Sequence, residues 1–145
     1  MIFVFGSNLK GIHGTGAALF AVKNHGAIAG RGEGLQGNSY ALPTCVSPGV
    51  PLTLDAIQIH VDRFLNFTKT PIGRDLQYQV TRVGCGFAGY KDEQIAPMFI
   101  DSPSNVWLPS VWTRVLVMLT AQAKAEEILE VVNKTKVLKF TEHHL

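Results

Sequence analysis

The segment IFVFGSNLKGIHGTGAALF, residues 2–20, has the pattern of a strand, a glycine-rich loop and the start of a helix. Residues 2–5 form a continuous apolar run, which is typical of a strand buried on both faces. We predict a loop over residues 6–14 and a helix over residues 15–24. Glycine in regular structure costs roughly 0.5–1 kcal/mol relative to alanine, so the cluster of glycines indicates that this backbone approaches a ligand closely.

The same order of elements occurs again later in the chain. Residues 76–83, LQYQVTRV, alternate like a strand, GCGFAGY follows, and residues 91–99 predict a short helix with Asp92 near its start. Ligands of α/β sheets bind at the carboxyl ends of the strands, where both loops are expected to lie. Free backbone N–H groups beside a helix N-terminus favour an anion, and above all a phosphate. We therefore predict one phosphate-binding site that is built from both loops.

The other segments predict strands and helices in alternation. Two longer helices are predicted at residues 54–67, where Thr53 supplies the cap, and at residues 120–133, and an extended surface loop is predicted at residues 26–39. Shorter patterns predict strands at 40–43, 105–108 and 137–140, a turn at 47–51, and either strand or helix at 114–119. Such alternation indicates an α/β fold, which we expect to form one domain over residues 1–145, with a sheet covered on both faces.

Composition and charge make several classes of protein less favoured. The chain has 145 residues, of which 46% are hydrophobic and 17% are charged, as expected of one globular domain. The formal charge is only +2, and the lysines are densest near Lys134, Lys136 and Lys139, which is a weak footprint for nucleic acid. Cys45 and Cys85 have no zinc-type spacing. We expect reduced thiols, no metal and no cofactor.

The sequence also lacks familiar targeting and nucleotide-binding signals. The N-terminal apolar run is short and has no positive residues before it, and no window has the apolar length of a membrane span, so we expect a cytoplasmic protein without a membrane partner. GxxxxGK[ST] is missing, which argues against a Walker-type hydrolase, and neither GTGAAL nor GRGEGLQG fits the GxGxxG dinucleotide fingerprint. An alternative remains that the glycines only form tight turns.

Two segments carry a resemblance to a known family. FGSNLKGIHGTGAALFA and VTRVGCGFAGYKDEQIAPMF resemble the two ligand-binding loops of macro domains, which bind ADP-ribose, and SYALPT resembles a strand that many of these domains carry between the loops. RVGCGFAGY is similar to the GCG-containing loop of the deacylating and terminal ADP-ribose glycohydrolase branch. The chain as a whole resembles small phage and prophage proteins of macro-domain-like fold, which implies the host cytoplasm as its location. The resemblance spans about residues 2–108 and implies a three-layer α/β/α macro-domain-like fold with a mixed central sheet.

The resemblance also implies a set of ligand-binding residues in the two loops. In the first loop these are Gly6, Ser7, Asn8, His13, Gly14, Thr15 and Gly16, and in the second they are Gly84, Cys85, Gly86, Phe87, Ala88, Gly89 and Tyr90. Asn8 matches an asparagine beside the distal ribose, although it fits an Asx turn equally well. Tyr90 either closes over the ligand or packs beneath the loop.

The usual catalytic residues of macro-domain hydrolases are not matched. The GCG branch has a lysine after the SYALPT-like strand and an aspartate in the second loop, where this chain has Pro43-Thr44-Cys45 and Phe87-Ala88-Gly89. Another branch has an aspartate in its first loop, where this chain has Gly16 or a small neighbour. The remaining catalytic candidates are His13 and Asn8, and the catalytic residues stay unknown.

Three further polar residues and one thiol have open roles. Glu33, Gln36 and Asn38 lie in the long glycine-rich loop, where they are candidates for an adenine or ribose contact or for a partner surface. Cys85 lies beside a helix N-terminus, which can lower the pKa of a thiol. The alternative, which we favour, is that Cys85 serves as a small side chain that points into the core.

Three functions remain open, and the first two are implied by the resemblance to macro domains. The first is binding of ADP-ribose, of a related nucleotide-sugar diphosphate or of an ADP-ribosylated protein through the two loops. The second is an enzyme of the same fold, either a phosphatase acting on ADP-ribose phosphate or an ADP-ribosyl hydrolase. The third is a nucleic-acid or protein-interaction protein, supported only by the basic C-terminal residues and by the apolar run at 111–119, which is also suited to a dimer contact. The sequence leaves the oligomeric state open.

Overall fold

The computed structural model describes the backbone of residues 1–144 and the side chains of residues 1–135. Its strands are β1 (Ile2–Asn8), β2 (Gly34–Gln36), β3 (Ser39–Ser47), β4 (Val50–Pro51), β5 (Tyr78–Val80) and β6 (Val106–Trp107). Its helices are α1 (Gly16–Asn24), α2 (Leu54–Thr68), α3 (Asp92–Ile95) and α4 (Ser110–His144), with short 3₁₀ turns at Gly73–Asp75 and Ala96–Phe99. This is a mixed α/β fold compatible with a three-layer α/β/α arrangement, which confirms the predicted fold class.

The six strands form one mixed sheet in the order β2-β3-β1-β5-β6, with β4 attached to β3. The central strand β1 runs parallel to both β3 and β5, and β5 runs parallel to β6. The short strands β2 and β4 are antiparallel to β3. The carboxyl ends of β1, β3 and β5 therefore meet at one edge of the sheet, where the loops that follow them come together.

Apolar residues on the two faces of the sheet form two separate cores. The larger core contains Val4 of β1 and Tyr40 of β3 and is closed by α2, whose Phe64 ring lies 4.8 Å from the Tyr40 ring. The smaller core contains Phe5 of β1, which packs with Ala21 of α1. Because successive residues of a strand point to opposite faces, the neighbours Val4 and Phe5 place helices on both sides of the sheet.

Helix α2 follows the sequence prediction closely. The side chain of Thr53 accepts a hydrogen bond from the backbone N–H of Ala56 at 3.2 Å, which caps the helix. Ile57, Val61 and Phe64 recur at helical spacing and are all buried. This face anchors α2 on the sheet.

Two predictions for the rest of the chain are wrong. The extended loop predicted at residues 26–39 contains strand β2, and β3 begins at Ser39 within it. The strand predicted at 137–140 belongs to α4, which continues without a break from Ser110 to His144. The alanine- and glutamate-rich stretch before it favours helix, and a strand there has no neighbour to pair with among the described elements.

Two other predictions need smaller corrections. Strand β5 ends at Val80 and is shorter than the predicted strand at 76–83, because the chain turns at Val83, whose N–H donates to the carbonyl of Thr81 at 2.7 Å. The ambiguous residues 114–119 are helical, as part of α4. Of the helices described, none has both the length and the apolar character needed to span a bilayer.

Candidate ligand-binding cleft

A cleft of about 220 Å³ opens at the carboxyl edge of the sheet, between the two glycine loops. Its lining comes from three stretches of chain that the strands bring together. These are Gly6, Ser7, Asn8, Ile12, Gly14, Thr15, Ala17 and Ala18 from β1 to α1, Thr44, Cys45, Pro48 and Gly49 from β3 and its turn, and Thr81, Arg82, Val83, Gly84, Gly86, Phe87 and Ala88 after β5. The two loops predicted to form one site do border one cleft.

Asn8 organises the first loop from within. Its side-chain Nδ2 donates to the carbonyl of Ile12 at 2.9 Å, and its Oδ1 accepts from the N–H of Ile12 at 3.1 Å. The N–H of Gly11 also donates to the Asn8 carbonyl at 3.0 Å. Half of the hydrogen-bonding capacity of the Asn8 side chain is thus used to close the loop. This arrangement favours the Asx-type role over a direct role in catalysis.

His13 lies behind the first loop rather than on the cleft. It is only 5% exposed, its Nε2 donates to the carbonyl of Arg31 at 3.0 Å, and its ring meets the Phe5 ring edge-on at 5.2 Å. Its Nδ1 is buried without a hydrogen-bond partner among the described residues. His13 is not among the residues that line the cleft, and a catalytic role for it stays a prediction.

The long glycine-rich loop before β3 supports the first loop. Gln36 is fully buried, and its side chain accepts from the N–H of Ile28 at 2.8 Å and donates to the carbonyl of Arg31 at 3.1 Å. The hydroxyl of Ser7 donates to the carbonyl of Gly32. These bonds place the long loop against the back of the first loop and give Gln36 a structural role.

The N-terminus of α1 lines one side of the cleft. Thr15 is the N-cap residue, with an extended backbone and no capping hydrogen bond from its side chain. The N–H groups in the first turn of a helix have no intrahelical partner. In α1 this turn includes Ala17 and Ala18, which both line the cleft. The helix therefore offers unsatisfied donors and the positive end of its dipole to the cleft.

The second loop also leaves several backbone N–H groups free. The N–H of Tyr90 donates to the carbonyl of Gly84, and that of Gly89 donates to the carbonyl of Gly86, both at 2.9 Å. By contrast, within the described chain the N–H groups of Gly86, Phe87 and Ala88 have no protein acceptor. All three residues line the cleft, so donors flank it on two sides.

Phe87 and Gly84 show that the second loop lies close to the first loop and to Ile95. The Phe87 side chain is 69% exposed, and a Cβ built on Gly16 would lie 3.6 Å from its ring, so the ring spans from one loop to the other. Gly84 has a φ of +79°, and a Cβ there would lie 2.9 Å from the Ile95 side chain. The start of the second loop therefore requires glycine.

Asp92 ties the second loop to α4. Its carboxylate accepts two hydrogen bonds from Arg82, at 2.9 and 2.8 Å, and one from the indole N–H of Trp112 at 2.7 Å. The Cys85 thiol donates to the same carboxylate at 3.5 Å. Burial, with the nearby charge of Asp92, raises the pKa of Cys85 to about 11. The thiol is therefore protonated near neutral pH. It points toward Asp92, as expected if Cys85 packs inward and does not have a lowered pKa.

The Asp92 network predicts a pH-dependent contribution to stability. The hydrogen bonds from Arg82 lower the pKa of Asp92 below its ordinary value. A carboxylate with a lower pKa in the folded state stabilises the fold above its unfolded pKa of about 3.9, and this stabilisation is lost as pH falls through the folded value. We expect Asp92→Asn to lower the free energy of unfolding most near neutral pH, with the difference from the unchanged protein shrinking below about pH 4.

Urea unfolding over this pH range measures that difference. Asp101→Asn is the control, because Asp101 is exposed and lies outside the network, and it should change the free energy of unfolding by less than about 0.5 kcal/mol. If the free energy of unfolding of Asp92→Asn differs from that of the unchanged protein by the same amount at neutral and acid pH, the role given to the carboxylate is contradicted.

Two other candidate residues lie away from the cleft. The hydroxyl of Tyr90 donates to the carbonyl of Leu52 at 2.6 Å, so Tyr90 packs beneath the loop. Glu33 accepts from His60 Nδ1 at 2.8 Å and from Arg63 at 2.9 Å, both on α2. Glu33 therefore forms an ion-paired contact with α2 and does not reach a ligand in the cleft.

The cleft lining is poor in groups for acid-base chemistry. Arg82 is its only charged residue, and its remaining polar side chains are hydroxyls, the Asn8 amide and the Cys45 thiol. Burial raises the pKa of the Cys45 thiol, which keeps it protonated. No carboxylate or imidazole is among the residues that line the cleft.

Sequence reasoning missed several residues of this lining. Thr44 and Thr81 lie at the carboxyl ends of the parallel strands β3 and β5, a position that points to a ligand site in α/β sheets. Arg82 follows directly, and its charge next to the glycine loop was a further signal. Pro48 and Gly49 come from the turn after β3, and nothing in the local sequence indicates that this turn reaches the cleft.

Comparisons with protein-family models, with curated proteins and with solved structures give no match to this chain.

Proposed function

We propose that this chain is a macro-domain-like module that binds ADP-ribose, or a related nucleotide-sugar diphosphate, in the cleft between its two glycine loops. The observation that carries the proposal is the set of free backbone N–H groups on both sides of one cleft. Those of Gly86, Phe87 and Ala88 have no acceptor within the described chain, and those at the start of α1 have none within the helix. Such groups suit the oxygens of a diphosphate.

The electrostatics of the lining support an anion. The cleft carries no acidic side chain along its lining, and its one charged residue, Arg82, is positive. The Arg82 guanidinium donates through Nε and one terminal nitrogen to Asp92, which leaves the other terminal nitrogen for a ligand oxygen. Arginine suits phosphate because its donors are fixed in a planar fork.

The size of the cleft limits how much of the ligand it encloses. A volume of about 220 Å³ is below the roughly 300–1,000 Å³ of pockets that enclose a drug-sized ligand. It exceeds the roughly 150 Å³ of a cavity that holds benzene. We therefore expect the cleft to enclose the phosphate and ribose portion, while the rest of the nucleotide lies on the surface. The exposed ring of Phe87 offers an apolar contact there.

Binding without turnover is the expected behaviour. A hydrolase needs a group to activate water, and the imidazole of His13 is held behind the loop by its bond to Arg31. The Asn8 side chain is engaged in closing the loop. A module that recognises ADP-ribose fits these residues better than a phosphatase or a glycohydrolase.

Calorimetric titration with ADP-ribose tests the proposal, together with assays for phosphate released from ADP-ribose phosphate and for ADP-ribose released from an ADP-ribosylated protein. We expect saturable binding without product. Gly14→Val and Gly86→Val should each weaken binding at least about tenfold, or about 1.4 kcal/mol, because they add a side chain at the cleft. Neither glycine has a positive φ, and a Cβ at either meets nothing within 4 Å, so both variants should fold.

Ala29→Val is the matched control, because it places the same valine side chain at an exposed residue outside the cleft. It should bind like the unchanged protein. Undetectable binding of ADP-ribose by the folded protein would contradict the proposal. Release of phosphate from ADP-ribose phosphate, or of ADP-ribose from an ADP-ribosylated protein, would instead support the enzyme of the same fold.

A further inference from the structure

Helix α4 extends well beyond the domain that it joins. Trp112 is buried in the larger core, but every residue with a described side chain from Val117 to Thr135 is exposed. At 1.5 Å per residue, this segment is roughly 28 Å long. Several large apolar side chains lie on it, namely Val117, Met118, Leu119, Ile128, Leu129, Val131 and Val132, which are 41–71% exposed. A helix of this kind gains most of its stability by packing an apolar face against another element.

One apolar stripe of this segment has heptad spacing. Met118, Ala121, Ala125, Ile128 and Val132 are separated by three, four, three and four residues, as the a and d positions of a coiled coil are. The opposite side of the helix carries Ala123, Glu126, Glu127 and Glu130. The exposed segment therefore has one face suited to a partner helix and one suited to water.

The order of small and large residues in the stripe fits an antiparallel copy of itself. Two antiparallel copies can be aligned so that the symmetry axis passes between residues 126 and 127. In this register Ala121 of one copy faces Val132 of the other, and Ala125 faces Ile128. Each pair then occurs twice by symmetry, as in an isologous dimer. Every central layer joins a small residue to a large one, which allows close packing without gaps. A parallel pair would instead place alanine against alanine.

We propose that α4 forms an antiparallel helical pair with α4 of a second copy of this chain, through the stripe from Met118 to Val132. The pairing buries an apolar face that the domain leaves exposed. It leaves the glycine-loop cleft free, because no residue of the stripe lines it.

Sedimentation of the full chain over a range of concentrations tests the pairing. We expect a dimer, and Ile128→Glu should raise its dissociation constant by about 100-fold or more, because it places a carboxylate in two symmetric apolar layers. Ala123→Glu adds the same charge on the opposite face and should leave the dimer unchanged. Both residues are exposed, so circular dichroism should show that both variants fold. A monomer at every concentration, or an equal loss with Ala123→Glu, would overturn the proposal.

Disulfide trapping tests the orientation. Ala121→Cys and Val132→Cys proteins, mixed and oxidised, should form mainly the mixed dimer, which mass spectrometry distinguishes from either homodimer. Ala123→Cys and the unsubstituted protein, which contains only Cys45 and Cys85, should not cross-link under the same conditions. Homodimers formed by each single variant would indicate a parallel pair and would overturn the antiparallel arrangement.

Discussion

Trp112→Ala should lower the free energy of unfolding by about 3–5 kcal/mol, the range for truncating a large buried aromatic side chain. Trp112 is fully buried, its ring lies 5.1 Å from that of Phe99, and it belongs to the larger core. Its indole N–H also donates to Asp92, which holds Arg82 and Cys85 at the base of the second loop. The substitution should therefore loosen both the start of α4 and one wall of the cleft.

Urea unfolding followed by circular dichroism measures this effect. Trp107→Ala is the matched control, because the other tryptophan is 58% exposed and should cost less than about 1 kcal/mol. Trp112→Phe retains most of the ring and removes the N–H donor, so it should cost about 1–3 kcal/mol. Equal losses for Trp112→Ala and Trp107→Ala would show that Trp112 does not anchor α4.

The parts of the fold with a local signal could be predicted from the sequence. The apolar run of β1 and the spacing of Ile57, Val61 and Phe64 in α2 report burial directly, because a strand and a helix each repeat with their own period. The pairing of the two glycine loops also follows, since each loop comes after a strand of a parallel sheet. The apolar pattern of residues 137–140 misleads, because a short apolar run does not by itself distinguish strand from helix.

The contacts that decide individual roles could not be predicted. His13 is removed from the cleft by a bond to Arg31, and Glu33 is paired with His60 and Arg63 on a helix far along the chain. These partners are brought together only by the tertiary fold, so no local pattern signals them. The same holds for Asp92, which looks like an ordinary helix-start residue until Trp112 of α4 reaches it.

The glycines of the first loop should differ sharply in their tolerance to substitution. Gly11 has a φ of +68°, and a Cβ there would lie 2.4 Å from the carbonyl carbon of Gly30 and 2.5 Å from the nitrogen of Arg31. The left-handed conformation alone costs an alanine about 1–2 kcal/mol. The clash is with backbone, which has no rotamer to change. We expect Gly11→Ala to lower the free energy of unfolding by about 3 kcal/mol.

Gly14→Ala, in contrast, should be neutral or should stabilise the protein by up to about 1 kcal/mol. The φ of Gly14 is not positive and a Cβ there meets nothing within 4 Å, so alanine mainly reduces the freedom of the unfolded chain. Urea unfolding of the two variants distinguishes two kinds of glycine. Gly11 allows the long loop to pack behind the first loop, whereas Gly14 opens onto the cleft. Similar losses for both variants would contradict this division. If the two variants differ in this way, only some glycines of the first loop serve a ligand. The others allow the backbones of the first loop and the long loop to pack closely.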